Sequence, residues 1–96
     1  MFRASVYRYE IPLVESLAFA WGTLDVRKGL LLGLTDANDV TSWGEIAPLE
    51  GYSTESLIEA EEELLRCVSN LEREELFETS RLLPSVSFGI ESALAG

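Results

Sequence analysis

The hydrophobic residues of this chain follow two different periods, and the change from one to the other falls near residue 53. Before that point, apolar and polar residues alternate over 3–14, 28–36 and 40–47, as they do in half-buried strands. After it, apolar residues recur three or four positions apart, which is typical of amphipathic helices. Strands followed by helices predict an α+β fold, in which a three-stranded antiparallel meander carries two to three helices on one face.

The segments between the strands differ in character. Residues 36–39 read Asp-Ala-Asn-Asp and predict a tight turn between the second and third strands. Pro12 cannot donate a hydrogen bond to a neighbouring strand, so the first strand ends there or lies at an edge of the sheet. Residues 15–27 show no clean period and predict a long loop, a kind of segment that often carries function.

The helical half begins at a polar cap. Ser53 or Thr54 can accept a hydrogen bond from a first-turn amide, and the first helix follows with about four or five turns. A short second helix is expected over 72–80. Ser85 or Ser87 can cap a third helix, whose apolar residues have little to pack against before the sequence stops. That truncated face suggests that the chain continues in a longer parent protein.

Net charge excludes two classes of partner. The chain has 17 acidic and 7 basic side chains, for a formal charge of −10. Nucleic acids and anionic membrane surfaces need clustered cations, whereas Lys28 and the arginines here are scattered. The sequence has no apolar run long enough to span a bilayer, and its opening residues lack the core of a signal peptide. With Cys67 as the single cysteine, a reducing cytoplasm fits best.

Few residues here could perform catalysis. The chain has no histidine, the commonest general base and transition-metal ligand. Without one, Cys67 beside the apolar stripe of the first helix is interpreted as an inert thiol, and Lys28 as a solvated cation. The densest carboxylate cluster diverges around a helix axis, which favours a solvated face over a metal site; its members are Glu59, Glu61, Glu62 and Glu63. We therefore predict no catalytic residue and no metal ligand in this chain.

One segment stands out. Residues 43–48 read Trp-Gly-Glu-Ile-Ala-Pro, and Gly-Tyr-Ser follows at 51–53. A strand end, a turn and a helix cap would account for most of it, since Gly44 permits close backbone approach within a strand. Glu45 is harder to explain in an apolar strand and needs a partner, for which Arg27, Lys28 or a turn amide is available.

Together with other segments, these residues resemble the N-terminal capping domain of the enolase superfamily. The resemblance is closest to the o-succinylbenzoate synthases of menaquinone and phylloquinone biosynthesis. It covers nearly the whole chain, in order, through 4–9 with 11–12, 27–30, 43–49 with 51–53, and 84–94.

The resemblance implies a parent enzyme. Such enzymes pair a capping domain with a modified β/α barrel, which carries acid/base lysines and the carboxylates that hold Mg²⁺. The expected reaction is dehydration of a succinyl-hydroxycyclohexadiene carboxylate to o-succinylbenzoate. Residues 1–83 would form the cap, and residues 84–96 would begin the linker and helix leading to the barrel. The expected partners are that barrel and a small carboxylate substrate, the chain alone would be inactive, and its exposed docking face would allow self-association.

The resemblance also implies which residues meet the substrate. Two cap segments close the barrel mouth in this superfamily, and here they correspond to 15–27 and 51–53. Arg27 is expected to pair with Glu45 rather than touch substrate. No basic residue lies in 15–26 although the substrate is a dicarboxylate, which leaves charge recognition to the barrel or the exact substrate open. The expected pocket residues are Leu17, Phe19, Trp21, Leu24, Gly51 and Tyr52.

Two other interpretations remain open on the sequence. Related caps belong to dipeptide epimerases, N-acylamino-acid racemases and muconate cycloisomerases, which a cap separates poorly. A free-standing acidic α+β interaction module is the alternative outside enzymes, because the −10 charge aids solubility without naming a partner. An exposed apolar patch would favour a cap, and a closed core under a polar surface would favour the free-standing module.

Overall fold

A computed structural model of the chain describes residues 2–19, 22–49, 54–73 and 81–95, with backbone alone over 13–19 and 22–25. The sheet is antiparallel, with strand order β1-β2-β3, and the helices follow it in sequence. The predicted α+β fold is therefore confirmed. Within the described residues the elements are β1 (Arg3–Phe19), β2 (Gly22–Thr35), β3 (Thr41–Ile46), α1 (Leu57–Glu72) and α2 (Pro84–Ala95).

The loop predicted over 15–27 is wrong for most of its length, because β1 and β2 continue through it as a hairpin. Pro12 pairs with Val26, and the next pair is Leu17 with Leu24. Between these two pairs β1 advances by five residues while β2 advances by two, so β1 contains a bulge there. The bulge breaks the period-two alternation on which the strand prediction depends. The edge interpretation of β1 is confirmed, since β1 is an outer strand of the sheet.

One face of the sheet and both helices share a single hydrophobic core. Leu30, Leu32 and Leu34 alternate along β2 and are each no more than 2% exposed. Burying a side chain of this size contributes about 1.5–3 kcal/mol, so the inner face of the central strand is the main apolar surface of the fold. The helices and β3 complete the core with Ile46, Ala60, Leu64, Cys67, Leu71, Val86, Ile90 and Ala93.

Helix α2 belongs to this core, although its residues were expected to begin a linker. Its buried residues are Val86, Gly89, Ile90 and Ala93, and it packs against β3. The contact is close because both backbones lack a side chain there: a Cβ on Gly44 would overlap the carbonyl group of Gly89. The described part of α2 thus shares a core with the sheet and α1, and the expected division of the chain after residue 83 stays a prediction. That α2 leads into a barrel stays a prediction.

Helix α1 begins after Ser56, not after Ser53 or Thr54. The Ser56 hydroxyl accepts the N–H of Glu59 at 3.1 Å, and the Glu59 carboxylate accepts the N–H of Ser56 at 3.1 Å. This reciprocal pair is a capping box, and its Ser-x-x-Glu spacing is readable in the sequence.

Helix α2 begins at Pro84, so neither Ser85 nor Ser87 is its cap. Proline suits a first helical turn, because the N–H that it lacks would have no partner within the helix. The short helix predicted over 72–80 falls mostly on residues 74–80, outside the described part of the chain. Neither described helix is long and apolar enough to cross a membrane.

Replacing Gly44 by alanine is expected to destabilise the protein by about 2–3 kcal/mol through overpacking. The new methyl would meet backbone atoms of α2, including the Gly89 carbonyl carbon at 2.8 Å, and could be accommodated only by moving the helix. Urea denaturation followed by circular dichroism measures the loss.

Gly33→Ala is the matched control, because a Cβ there would meet the Trp43 ring at 2.8 Å, and a side chain can rotate away. We expect the control to lose much less stability than Gly44→Ala. Equal denaturation midpoints for the two variants would contradict a rigid strand–helix contact.

Candidate functional site

One end of the sheet carries the described part of the first segment that was expected to meet substrate, 15–27. In this antiparallel order, β1 ends, β2 begins and β3 ends on one side. The last residue of β3, Ile46, pairs with Leu30, so 22–29 of β2 project beyond β3 together with their partners in β1. The segment 50–53 follows β3 within a few residues. Topology therefore places the projecting hairpin and the end of β3 at one end of the sheet, while residues 50–53 lie outside the described part of the chain.

The expected pocket residues are placed only in part. Leu17, Phe19 and Leu24 lie in the projecting hairpin, where their backbones pair between β1 and β2 but their side chains lie outside the description. Trp21 and the 51–53 segment, with Gly51 and Tyr52, lie outside the described residues. Contact between these six residues and a substrate stays a prediction.

A cavity of about 550 Å³ opens at this end of the sheet. Its volume falls within the range of small-molecule sites, roughly 300–1,000 Å³. The strands, the approach to α1 and the first turns of α2 all contribute to its wall. The lining residues are Arg27, Glu45, Ala47, Pro48, Thr54, Glu55, Pro84, Ser85 and Phe88.

Arg27 and Glu45 both line the cavity, but each has a different partner from the one expected. Nη2 of Arg27 donates to the carbonyl oxygen of Ala47 at 2.7 Å, and the Glu45 carboxylate accepts from the hydroxyl of Tyr9. Across the described ranges, no ion pair joins Arg27 to Glu45. Tyr9 reaches β3 because its ring lies over Gly29 of the intervening strand, where a Cβ would come within 2.6 Å of the ring.

The Tyr9 hydroxyl is held as a donor. Burial raises the pKa of Tyr9, the hydrogen bond to Glu45 and the charge of that carboxylate raise it further, and Arg27 opposes them, to give a pKa of about 12. Sequence reasoning missed this residue, because a tyrosine at an alternating strand position is typical of a packed sheet.

Glu55 is a buried carboxylate that caps α2 although it lies far from that helix in sequence. It is 4% exposed and accepts the N–H and the hydroxyl of Ser85, both at 2.9 Å, and the hydroxyl of Thr54 at 3.1 Å. Glu63 accepts the N–H of Leu83 at 2.6 Å. Two carboxylates on the α1 side therefore satisfy amides at the start of α2. The partners are 30 residues apart for Glu55, which no local sequence pattern reveals.

The hydrogen bonds to Glu55 favour its charged form. Burial acts to raise the pKa of this carboxyl, but the backbone and hydroxyl bonds from Ser85 and the bond from Thr54 outweigh it and lower the pKa. Glu55 thus stays ionised at neutral pH inside the cavity wall.

The remaining candidates for chemistry serve the fold. Cys67 is 8% exposed in the core, and burial raises the pKa of its thiol. Lys28 is exposed and lies 3.7 Å from Glu10. The carboxylates of α1 point to separate partners, with Glu61 bound by Arg8. Within the described residues, no three metal-binding side chains come together.

Comparison with known proteins identifies relatives along the whole chain. The family model described as "MenC, N-terminal domain" matches residues 1–96. The o-succinylbenzoate synthase of Enterobacter sp. (strain 638) is 42% identical over 94 residues, covering 96% of this chain and 28% of that protein. That of Aliivibrio salmonicida is 34% identical over 91 residues, covering 95% and 28%. The chain thus spans 28% of the length of these relatives.

Solved structures share the fold. The o-succinylbenzoate synthase of Thermosynechococcus elongatus BP-1, with Mg in its active site, gives a TM-score of 0.81 at 30% identity, covering 97% of this chain and 29% of that one. The L-Ala-D/L-Glu epimerase of Bacillus subtilis gives 0.79 at 19% identity, covering 96% and 29%. The second likeness concerns the fold alone.

Replacing Glu55 by glutamine is expected to cost about 1–3 kcal/mol of stability at neutral pH, because charge-assisted hydrogen bonds to α2 are lost. The ordinary pKa is 4.5 and the folded value is lower. The stabilisation by the carboxylate is therefore complete above pH 4.5 and disappears as pH falls through the folded pKa.

Urea denaturation of the wild type and Glu55→Gln between pH 7 and pH 3 tests this. The difference between their unfolding free energies should narrow below pH 4.5. Glu62→Gln is the control, since Glu62 is an exposed carboxylate on α1. A difference that stays constant across this range would show that Glu55 does not act as a charged cap.

Proposed function

This chain belongs to the MenC N-terminal domain family, and from that membership we propose that it is the substrate-capping domain of an o-succinylbenzoate synthase of menaquinone biosynthesis. The observation that carries the proposal is the match of synthases to nearly the whole chain, at 34–42% identity among the relatives described above. Because the chain spans 28% of those synthases, the activity belongs to the longer parent protein.

The proposed reaction is a carbon–oxygen lyase step, the dehydration of a succinyl-hydroxycyclohexadiene carboxylate to o-succinylbenzoate. The Mg in the active site of the Thermosynechococcus synthase supports a magnesium requirement. Within the described residues, no three side chains of the metal-binding types come together, so these residues offer no complete magnesium site. We therefore assign the metal and the acid/base chemistry to the barrel of the parent protein.

The proposed role of the cap is to close the barrel mouth at the end of the sheet that bears the cavity. The projecting hairpin lies at that end, which supports the proposal, and 51–53 follow the end of β3 in sequence. Their proposed contacts with substrate are Leu17, Phe19, Trp21, Leu24, Gly51 and Tyr52.

Exposed apolar side chains support docking against a further domain. Phe88 on the cavity wall is 67% exposed and Leu94 on the same helix is 49% exposed. A free-standing acidic module would leave these surfaces in water. The same surfaces would allow the separated cap to self-associate, and the lone cysteine supports a cytoplasmic location.

The 96-residue chain alone is expected to be inactive, and mixing it with the remainder of the parent protein is expected to restore turnover. The assay follows the magnesium-dependent loss of absorbance of the cyclohexadiene substrate. Turnover by the chain alone would contradict the placement of the chemistry in the barrel. An inactive but folded parent protein would contradict the synthase assignment and direct the next assay to dipeptide epimerisation, acylamino-acid racemisation and muconate cycloisomerisation.

Trp21→Ala in the parent protein is expected to raise KM about tenfold, which is the lower end of what an apolar pocket contact contributes. Trp43→Ala is a control of the same residue type, because Trp43 packs on Tyr7 across the outer face of the sheet, with ring centroids 6.0 Å apart. An equal change of KM in both variants would contradict a substrate contact at Trp21.

A further inference from the structure

Three charged side chains line the cavity, and two of them already hold hydrogen bonds suited to their charge. Glu55 accepts from Ser85 and Thr54, and Glu45 accepts from Tyr9. The third is Arg27, which donates one bond at 2.7 Å, to the neutral carbonyl oxygen of Ala47. In the part of the chain that the structure describes, no carboxylate lies within ion-pair distance of this guanidinium.

Other cations of the described chain are engaged away from the cavity. Arg3 pairs with Asp39 at 2.6 Å, Arg8 is bound by a carboxylate of α1, and Lys28 lies beside Glu10. Arg27 is the basic residue among those that line the cavity. Arg27 is half-buried in the cavity wall.

Tyr9 is the hydrogen-bond partner of Glu45, the carboxylate that lines the cavity together with Arg27. The phenol spans Gly29 and binds the Glu45 carboxylate from across the sheet. That bond gives the Glu45 carboxylate a partner, and among the described side chains no carboxylate lies within ion-pair distance of Arg27. The bond to Ala47 meanwhile uses one of the five N–H donors of Arg27 and fixes the plane of the group.

We propose that Arg27 binds a carboxylate of the substrate, with Tyr9 as a positioning residue that keeps Glu45 from occupying the same guanidinium. A planar guanidinium held in place matches a carboxylate through paired, charge-assisted hydrogen bonds. This inference rests on the proposed function, in which the ligand is a dicarboxylate. Under this inference the cap itself takes part in recognising the charge of the substrate. Arg27 directly follows the segment 15–26, which contains no basic residue.

The neighbouring carboxylates provide a sharp test of this assignment. Glu45 and Glu55 repel an incoming anion, so a ligand carboxylate binds against their charge. Removing the charge of Glu45 should strengthen binding, whereas releasing Glu45 from Tyr9 should weaken it, because the freed carboxylate can then pair with Arg27.

The experiment compares KM and kcat for variants of the parent protein on the cyclohexadiene substrate. Arg27→Gln should raise KM about tenfold or more, the factor expected for a charged hydrogen bond, with kcat nearly unchanged. Arg27→Lys should raise KM less, since it keeps the charge and loses the planar donors. Tyr9→Phe should also raise KM, and adding Glu45→Gln to it should restore KM to the wild-type value or below.

Arg3→Gln is the matched control, because its guanidinium pairs with Asp39 at the opposite end of the sheet. If the wild type is active and Arg27→Gln has the same KM as Arg3→Gln, the inference is overturned and the proposed function is left intact. So would a raised KM in Tyr9→Phe that Glu45→Gln does not rescue, since that pattern indicates a general loss of structure.

A second measurement applies if the parent protein does not turn over this substrate. Succinate is titrated into the wild type, Arg27→Lys and Arg27→Gln by calorimetry. Binding that weakens in that order supports a carboxylate site at Arg27 even though the synthase assignment has failed. Equal binding by all three proteins, or no binding by the wild type, overturns it.

Discussion

The contact between β3 and α2 depends on two glycines, and the geometry of the cavity depends on that contact. Gly44 and Gly89 bring strand and helix backbones together without an intervening side chain. At a wider separation the first turn of α2 would leave the cavity wall, and Glu55 could not reach Ser85. Helix α2 is therefore held against the sheet by packing, and four of its residues are buried. Phe88 remains exposed on its other side.

The acidity of the chain is partly structural. Three carboxylates of the α1 region accept backbone N–H groups that the start of a helix would otherwise leave without acceptors, namely those of Glu55, Glu59 and Glu63. Glu61 ties α1 to the sheet through Arg8. The negative charge of the domain thus connects its elements as well as keeping it in solution.

Alternating apolar residues were sufficient to predict the strands that bury Leu30, Leu32 and Leu34, because those positions obey a single local period. The hairpin beyond Pro12 was predicted as a loop, since a bulge shifts the phase of the alternation and removes that signal. At the cavity, the sequence identified Glu45 as needing a partner but could not choose Tyr9, which depends on the order of strands. Hydrogen bonds between residues far apart in sequence, such as that between Glu55 and Ser85, leave no pattern in the local sequence.

The end of β3 separates two regions of the sheet. Where all three strands pair, the register is set by the core, and a one-residue slip would expose the buried leucines. Past β3, the hairpin extends by eight residues of β2, about 26 Å at strand spacing, and the bulge of β1 lies within this arm. Insertions, deletions or substitutions in that arm leave the core register untouched. The arm is therefore the part of the sheet whose length and side chains can vary while the buried leucines keep their positions.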